Sequence, residues 1–233
     1  MMPDSFFSLD LSLLRWLNSS NSVYFDSLVP ILTNGLTGIP LYIALLYLVV
    51  KNNETMVQIG LIIGGAVVCI ILASGVDDFI VKPMVAKLRP CNDPDVKLQL
   101  NLIAGTLDKS FSFFSAHAAN TFSLAVFLSL LVRDRLFSVT MVLWALLNCW
   151  TRLYLGLHYP SDAFCGLLYG CVVGIVVYTA FYKLFYKINA KFQYISSQYT
   201  ASGYAKADID VVVSTLVLTL AVVILGAFYT ITI

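Results

Sequence analysis

Apolar and polar residues are segregated into blocks along this chain, and six blocks are long and uncharged enough to cross a bilayer as helices. They cover residues 27–50 (interrupted by Pro30 and Pro40), 56–76, 112–132, 136–157 (apolar apart from Arg152), 163–182 and 211–233. Ahead of them, Phe6, Phe7, Leu9, Leu11, Leu13, Leu14, Trp16 and Leu17 are interleaved with Asp4, Asp10 and Arg15. That pattern predicts a short helix lying in the interface rather than a cleaved signal. The expected fold class is all-α: a polytopic membrane helix bundle of about six transmembrane helices plus the interfacial helix. It is read as one integral membrane domain over residues 1–233, with a motif-bearing core at about 27–182. Residues 183–233 supply a basic segment and the last transmembrane helix.

Composition agrees. Only 12% of the 233 residues are charged and 59% are hydrophobic, with a mean hydropathy of +0.86. Soluble domains carry about 25% charged residues, so lipid is expected to cover much of the surface. A net charge of +1 gives no reason to expect nucleic acid as a partner, and no obligatory protein partner is indicated. The five cysteines show no Cys-x-x-Cys pairing, so they are read as packing residues; Cys91 alone is expected in a loop, exposed beside cations.

The long connection at 77–111, the turn at 152–162 and both termini are expected on one face, and the segments 51–55, 133–135 and 183–210 on the other. The second face carries Lys51, Arg133, Arg135, Lys183, Lys187, Lys191 and Lys206; the first carries Arg15, Lys82, Lys87, Arg89, Lys97, Lys109 and Arg152. Setting aside Lys82, Arg89 and Arg152, which belong to motifs, the excess of cations puts the first face outward. Gly166, Gly170 and Gly174, four residues apart, predict a groove for close approach by a neighbouring helix, and Gly60 and Gly64 read the same way.

The chemistry gathers on that first face. The chain has two histidines, His117 at the start of the third block and His158 after the fourth. Lys82 and Arg89, seven apart, would share one side of a helix continuing from the second block. Ser115 and His117 stand where a helix begins, so free amides and the helix dipole favour an anion there. Pro160 suits the first turn of a new helix, which would let Asp162 reach back toward His158. Cations hold a phosphoryl group, arginine bidentately. One imidazole can serve as nucleophile and the other can protonate a leaving oxygen. Such a set suits phosphoryl transfer without a metal or other cofactor.

The spacing Lys82-x6-Arg89-Pro90, Ser115-x-His117 and Arg152-x5-His158-x3-Asp162 resembles the tripartite signature of the type 2 phosphatidic acid phosphatase superfamily, which also contains vanadium haloperoxidases and glucose-6-phosphatases. The resemblance implies that His158 attacks phosphorus, Asp162 orients it and His117 is the general acid. It further implies that Lys82, Arg89, Ser115, Arg152 and the backbone at Ala116 bind the phosphate. The chain departs from the family pattern at Phe114, Ala116 and Thr151, where proline, glycine and serine are usual. A transporter using the same polar residues as a substrate path is the rival reading, but no charge lies near the middle of any block. Haloperoxidases are soluble and larger, and two histidines with no tight acidic cluster make poor metallophosphatase ligands.

The expected substrate is a lipid phosphate drawn from among the membrane lipids, of the undecaprenyl pyrophosphate, lipid A or phosphatidylglycerophosphate type, cleaved through a phosphohistidine. The expected location is a bacterial inner membrane with the site on its periplasmic face. The 91–111 loop, with Asp93, Asp95, Lys97, Asp108 and Lys109, is expected to help select the headgroup.

Overall fold

The computed structural model describes residues 4–20, 22–103, 110–188 and 197–232. Asp108, Lys109 and Lys191, which entered the charge and loop expectations, lie outside the described residues, as do the side chains of Phe6 and Lys187. The elements in chain order are α1 (Asp4–Asn18), α2 (Val23–Thr33), α3 (Ile39–Lys51), α4 (Met56–Val76), α5 (Lys82–Val85), α6 (Ala116–Val132), α7 (Arg135–Tyr154), α8 (Pro160–Ile188) and α9 (Lys206–Thr232). The fold is an all-helical membrane bundle.

Helix length does not establish six spans. Among the described residues, four helical stretches are long and apolar enough to cross a membrane: Met56–Val85, Arg135–Tyr154, Pro160–Leu184 and Lys206–Thr230. The first apolar block is broken. Its halves, Val23–Thr33 and Gly35–Lys51, meet at 66° and make a fifth span only if taken together. The break falls between the two prolines, where Asn34 is extended and its side chain caps the Leu36 amide at 3.0 Å. The third block yields only the 17 residues of α6, about 25 Å at 1.5 Å per residue, short of a bilayer core of about 30 Å. Residues 112–115, expected in that helix, instead form the approach to it.

α6 is apolar all round because it is enclosed on every side. Ala118, Ala119, Ala125 and Phe127 are fully buried, and α4, α7 and α8 pack about it. α9 packs with α2 and α3, and Asp208 at its start pairs with Lys51 at the end of α3 at 2.9 Å. Large apolar side chains such as Ile71 on α4, Val172 on α8 and Leu225 on α9 stand exposed, as lipid-facing positions do. α1 places Phe7, Leu9, Leu13 and Trp16 outward while burying Leu14. Its Asp10 accepts from the Ser161 amide at 2.8 Å and from its hydroxyl at 2.6 Å, which ties α1 to the start of α8.

The small residues of α8 behave as expected, and those of α4 do not. A Cβ added at Gly166, Gly170 or Gly174 would lie 2.6, 2.5 and 2.7 Å from the carbonyl oxygens of Ser115, Ala119 and Ser123. The two backbones therefore touch along three turns of α6. Gly60 and Gly64 have nothing within 4 Å, so they form no such groove. Gly170→Ala should cost about 1–3 kcal/mol by overpacking against a backbone that cannot retreat. Gly64→Ala should be neutral or stabilising by up to about 1 kcal/mol, since glycine is a poor helix former. Thermal unfolding of the two variants in detergent decides the matter, and equal effects would contradict the assigned close approach.

Candidate active site

Three chain segments meet at the end of the bundle shared by the start of α6 and the start of α8. The first leaves α4 through a π-helical turn, Asp77–Val81, into the short α5. Ala86 then takes a left-handed conformation (φ 47°) and stops the helix. The expectation that Lys82 and Arg89 share one helix face is thereby corrected. Lys82 sits in the last helical turns and Arg89 in the irregular segment beyond.

Lys82 is buried, with Asp77 at 2.9 Å and Asp78 at 2.6 Å. Asp77 also accepts from the Phe114 amide at 3.1 Å, which ties the π turn to the approach of α6. Arg89, also buried, donates through Nε to the Ser110 carbonyl at 3.0 Å and through Nη2 to the Ser110 hydroxyl at 2.7 Å. Its Nη1 donates to the Leu157 carbonyl at 3.1 Å and lies 3.1 Å from His158 Nε2. Gly156, at φ +64°, makes the turn that brings the Leu157 carbonyl there. Cys91 packs beneath this turn, its amide bonded to the Gly156 carbonyl at 3.1 Å. It is buried rather than exposed, so it offers no accessible thiol.

The protonation of His158 follows from its neighbours. Nδ1 lies 2.8 Å from the Ser112 carbonyl, which can only accept, so Nδ1 carries the hydrogen. Nε2 faces a guanidinium, which can only donate, so Nε2 presents a lone pair. Burial holds this imidazole's pKa well below its ordinary range. The nearby charges of Arg89, Lys82 and Arg152 add to that effect, against a smaller opposing effect of the Ser112 carbonyl. His158 is thus a neutral imidazole with a fixed tautomer.

Asp162 lies in the first turn of α8, which Pro160 opens as expected. Its carboxylate reaches back, but not to the imidazole. Oδ1 pairs with Lys87 at 2.6 Å. Oδ2 accepts from the Ser112 hydroxyl at 2.5 Å and from the Tyr159 amide at 3.2 Å. Asp162 therefore acts on His158 through Ser112, whose side chain it holds and whose carbonyl holds the ring. Lys87 and Ser112 escaped the sequence reading. The available signals were Lys87 standing two residues before Arg89 and Ser112 three before Ser115, inside or beside the motifs. Lys87 also lies over the Tyr159 ring, 4.2 Å from its centroid.

Ser115 is the N-cap of α6: its hydroxyl accepts from the Ala118 amide at 3.4 Å, and its own amide donates to the Asp162 carbonyl at 3.2 Å. Ala116 is the first residue of α6, in right-handed helical backbone, so a methyl in place of the usual hydrogen imposes no strain. His117 follows, exposed at the mouth of the bundle. Among the described residues, no group of three histidine, cysteine or acidic side chains is arranged to hold a metal ion.

Residues 59–186, more than half of the chain and all three motif segments, match the PAP2 superfamily. The chain belongs to the PAP2 superfamily. It is similar to the lipid A 4'-phosphatase of Bacteroides thetaiotaomicron, 36% identical over 163 residues, covering 70% of this chain and 72% of that one. A lipid A 4'-phosphatase of Porphyromonas gingivalis is 24% identical over 165 residues, covering 71% and 70%. The crystal structure of Aquifex aeolicus LpxE shares the fold, with a TM-score of 0.57 over 76% of this chain and 99% of that one, at 24% identity. As a PAP2 member with phosphatase relatives of comparable length, the chain is a lipid phosphatase of the membrane.

Two measurements check this geometry. With only two histidines, NMR of isotope-labelled histidine, assigned with His117→Ala, should show His158 as the Nδ1–H tautomer. It should stay neutral as pH falls below about 6.5 and protonate only lower; titration at or above that value would contradict the burial and the cationic field. Lys87→Met, which leaves a buried carboxylate unpaired, should cost about 3–5 kcal/mol of stability, and Asp162→Asn in the same background should restore part of it.

Proposed function

We propose that this protein removes a phosphate from a lipid of the lipid A type through a phosphohistidine on His158. The carrying observation is the His158 imidazole, held by the Ser112 carbonyl at Nδ1 with a lone pair on Nε2 in a field of cations. The choice among lipid phosphates follows the two relatives, both lipid A 4'-phosphatases.

Nε2 attacks phosphorus while the bond from phosphorus to the lipid oxygen breaks, and His117 gives that oxygen its proton. Arg89, Lys82 and Arg152 hold the equatorial oxygens, with the first amides of α6, beginning at Ala116, offering the positive end of the helix. Lys82 would exchange part of its pairing with Asp77 and Asp78 for the phosphate. With phosphorus on Nε2 and hydrogen on Nδ1 the ring is cationic. The Ser112 carbonyl and the Asp162 charge behind it stabilise that cation. Water then attacks phosphorus, His117 takes its proton, and the phosphorus–nitrogen bond breaks with its electron pair returning to Nε2. The sum is lipid phosphate plus water giving lipid alcohol plus phosphate, and no step calls for a metal.

The distribution of lysine and arginine supports placing the site on the periplasmic face of a bacterial inner membrane. The charged motif residues gather at one end of the bundle rather than along a path through it, which favours hydrolysis over transport.

Rapid quenching of purified enzyme with phosphate-labelled lipid A should trap an acid-labile, alkali-stable adduct that is absent from His158→Ala. That variant should retain no measurable turnover. Asp162→Asn should lose a factor of about 100 or more, chelator should leave the rate unchanged, and vanadate should inhibit. Turnover by His158→Ala, or strict dependence on an added metal, would overturn the mechanism. Parallel assays with undecaprenyl pyrophosphate and phosphatidylglycerophosphate would show whether the substrate class has been chosen wrongly.

A further inference from the structure

Beside the phosphate site lies a cavity of about 150 Å³, between the broken α2–α3 element and helices α6, α7 and α9, with His117 in its wall. Its volume admits several water molecules or part of a polar headgroup. One side of it is formed by the chain around the 66° break between α2 and α3, from Leu32 to Tyr42.

Several polar side chains of its lining are already bonded to nearby carbonyls. Thr37 donates its hydroxyl hydrogen to the Ile31 carbonyl at 2.6 Å, Thr121 to the His117 carbonyl at 2.8 Å, Thr151 to the Asn148 carbonyl at 2.7 Å and Thr219 to the Thr215 carbonyl at 2.7 Å. Asn148 donates from its amide nitrogen to the Trp144 carbonyl at 2.8 Å. A hydroxyl whose hydrogen is committed to a carbonyl retains only acceptor lone pairs, and the Asn148 side-chain carbonyl is likewise an acceptor. The wall therefore offers acceptor lone pairs, and Tyr42, Trp144 and the second Asn148 amide hydrogen add donors. A hydrocarbon occupant would leave those acceptors unsatisfied; an occupant carrying O–H or N–H groups would pair them.

We infer that this cavity receives the alcohol part of the substrate, and that this part is a sugar or polyol bearing hydroxyl or amide N–H donors. The inference rests on reading His117 as the leaving-group acid: the oxygen it protonates departs on the His117 side, where the cavity lies. Headgroup selection is thereby assigned to α7, α9 and the helix break, rather than to the 91–111 loop alone.

Asn148→Leu and Thr219→Val keep approximate shape while removing acceptors, and neither residue is among those proposed to hold the phosphate. Wild type, each variant and the double variant are assayed in detergent on lipid A, phosphatidylglycerophosphate and a prenyl monophosphate, whose alcohol carries no further donors. For the double variant, kcat/KM on lipid A relative to the prenyl phosphate should fall about tenfold, through KM, as two lost neutral hydrogen bonds imply. An unchanged ratio, whether both substrates suffer equally or neither suffers, overturns the inference and leaves the proposed function standing. A wild-type enzyme inactive on lipid A but active on phosphatidylglycerophosphate, with the variants selectively impaired there, supports the cavity assignment and overturns the lipid A reading. A wild-type enzyme active on the prenyl phosphate alone overturns both.

Discussion

The contact on which the site depends is the approach of α8 to α6 with no side chain between them. At Gly166 the absent Cβ leaves room for the carbonyl of Ser115, which is the cap of α6. Four residues earlier, Asp162 offers its own carbonyl to the Ser115 amide. The separation of the two helices thus determines where both begin, and what begins there is the candidate site: His117 on one helix, Asp162 on the other and His158 just before it. A methyl group at Gly166 would press on the cap as well as on the packing. In a bilayer, where no hydrophobic force draws helices together, such close backbone contact is the means by which two helix ends are held in register.

Around that register the charges are arranged in pairs rather than as a bare cationic pocket. Lys82 is held by Asp77 and Asp78, and Lys87 by Asp162. Isolated buried charges would be costly, and pairing offsets that cost before any phosphate arrives. Arg89 reaches the same end differently, with its guanidinium spread over the Ser110 and Leu157 carbonyls and the Ser110 hydroxyl. Those partners fix its guanidinium beside His158.

Much of this was legible beforehand. The blocks at 56–76, 136–157, 163–182 and 211–233 became α4, α7, α8 and α9 within a few residues, because long apolar runs admit one answer in lipid. Legibility failed where a local device overrode the apolar run. Asn34 broke the first block, Ala86 ended the helix between Lys82 and Arg89, and residues 112–115 gave up helix to hold the His158 ring. The motif residues were readable because few polar residues interrupt the apolar blocks. The link from Asp162 to His158 was not, since it passes through the backbone of Ser112, and a sequence does not reveal which carbonyl a ring nitrogen will meet. Gly60 and Gly64 matched the spacing of the α8 glycines yet face open space, because spacing alone does not say whether a neighbour is present.

Burial and the cationic field together resolve an apparent conflict in the proposed nucleophile. A histidine beside a carboxylate would be expected to hold a proton more tightly, and a protonated Nε2 cannot attack phosphorus. Here the carboxylate is removed one step from the ring, and the groups closest to the ring electrostatically are Arg89, Lys82 and Arg152, all of which disfavour its protonation. Burial, helped by the same cations that are suited to holding a phosphate, thus keeps the lone pair available before phosphate binds. Once phosphate brings its negative charge among them, the field that opposed a cationic ring is offset. In the proposed reaction the imidazole then becomes positive on forming its bond to phosphorus, with Ser112 and Asp162 already in place behind it.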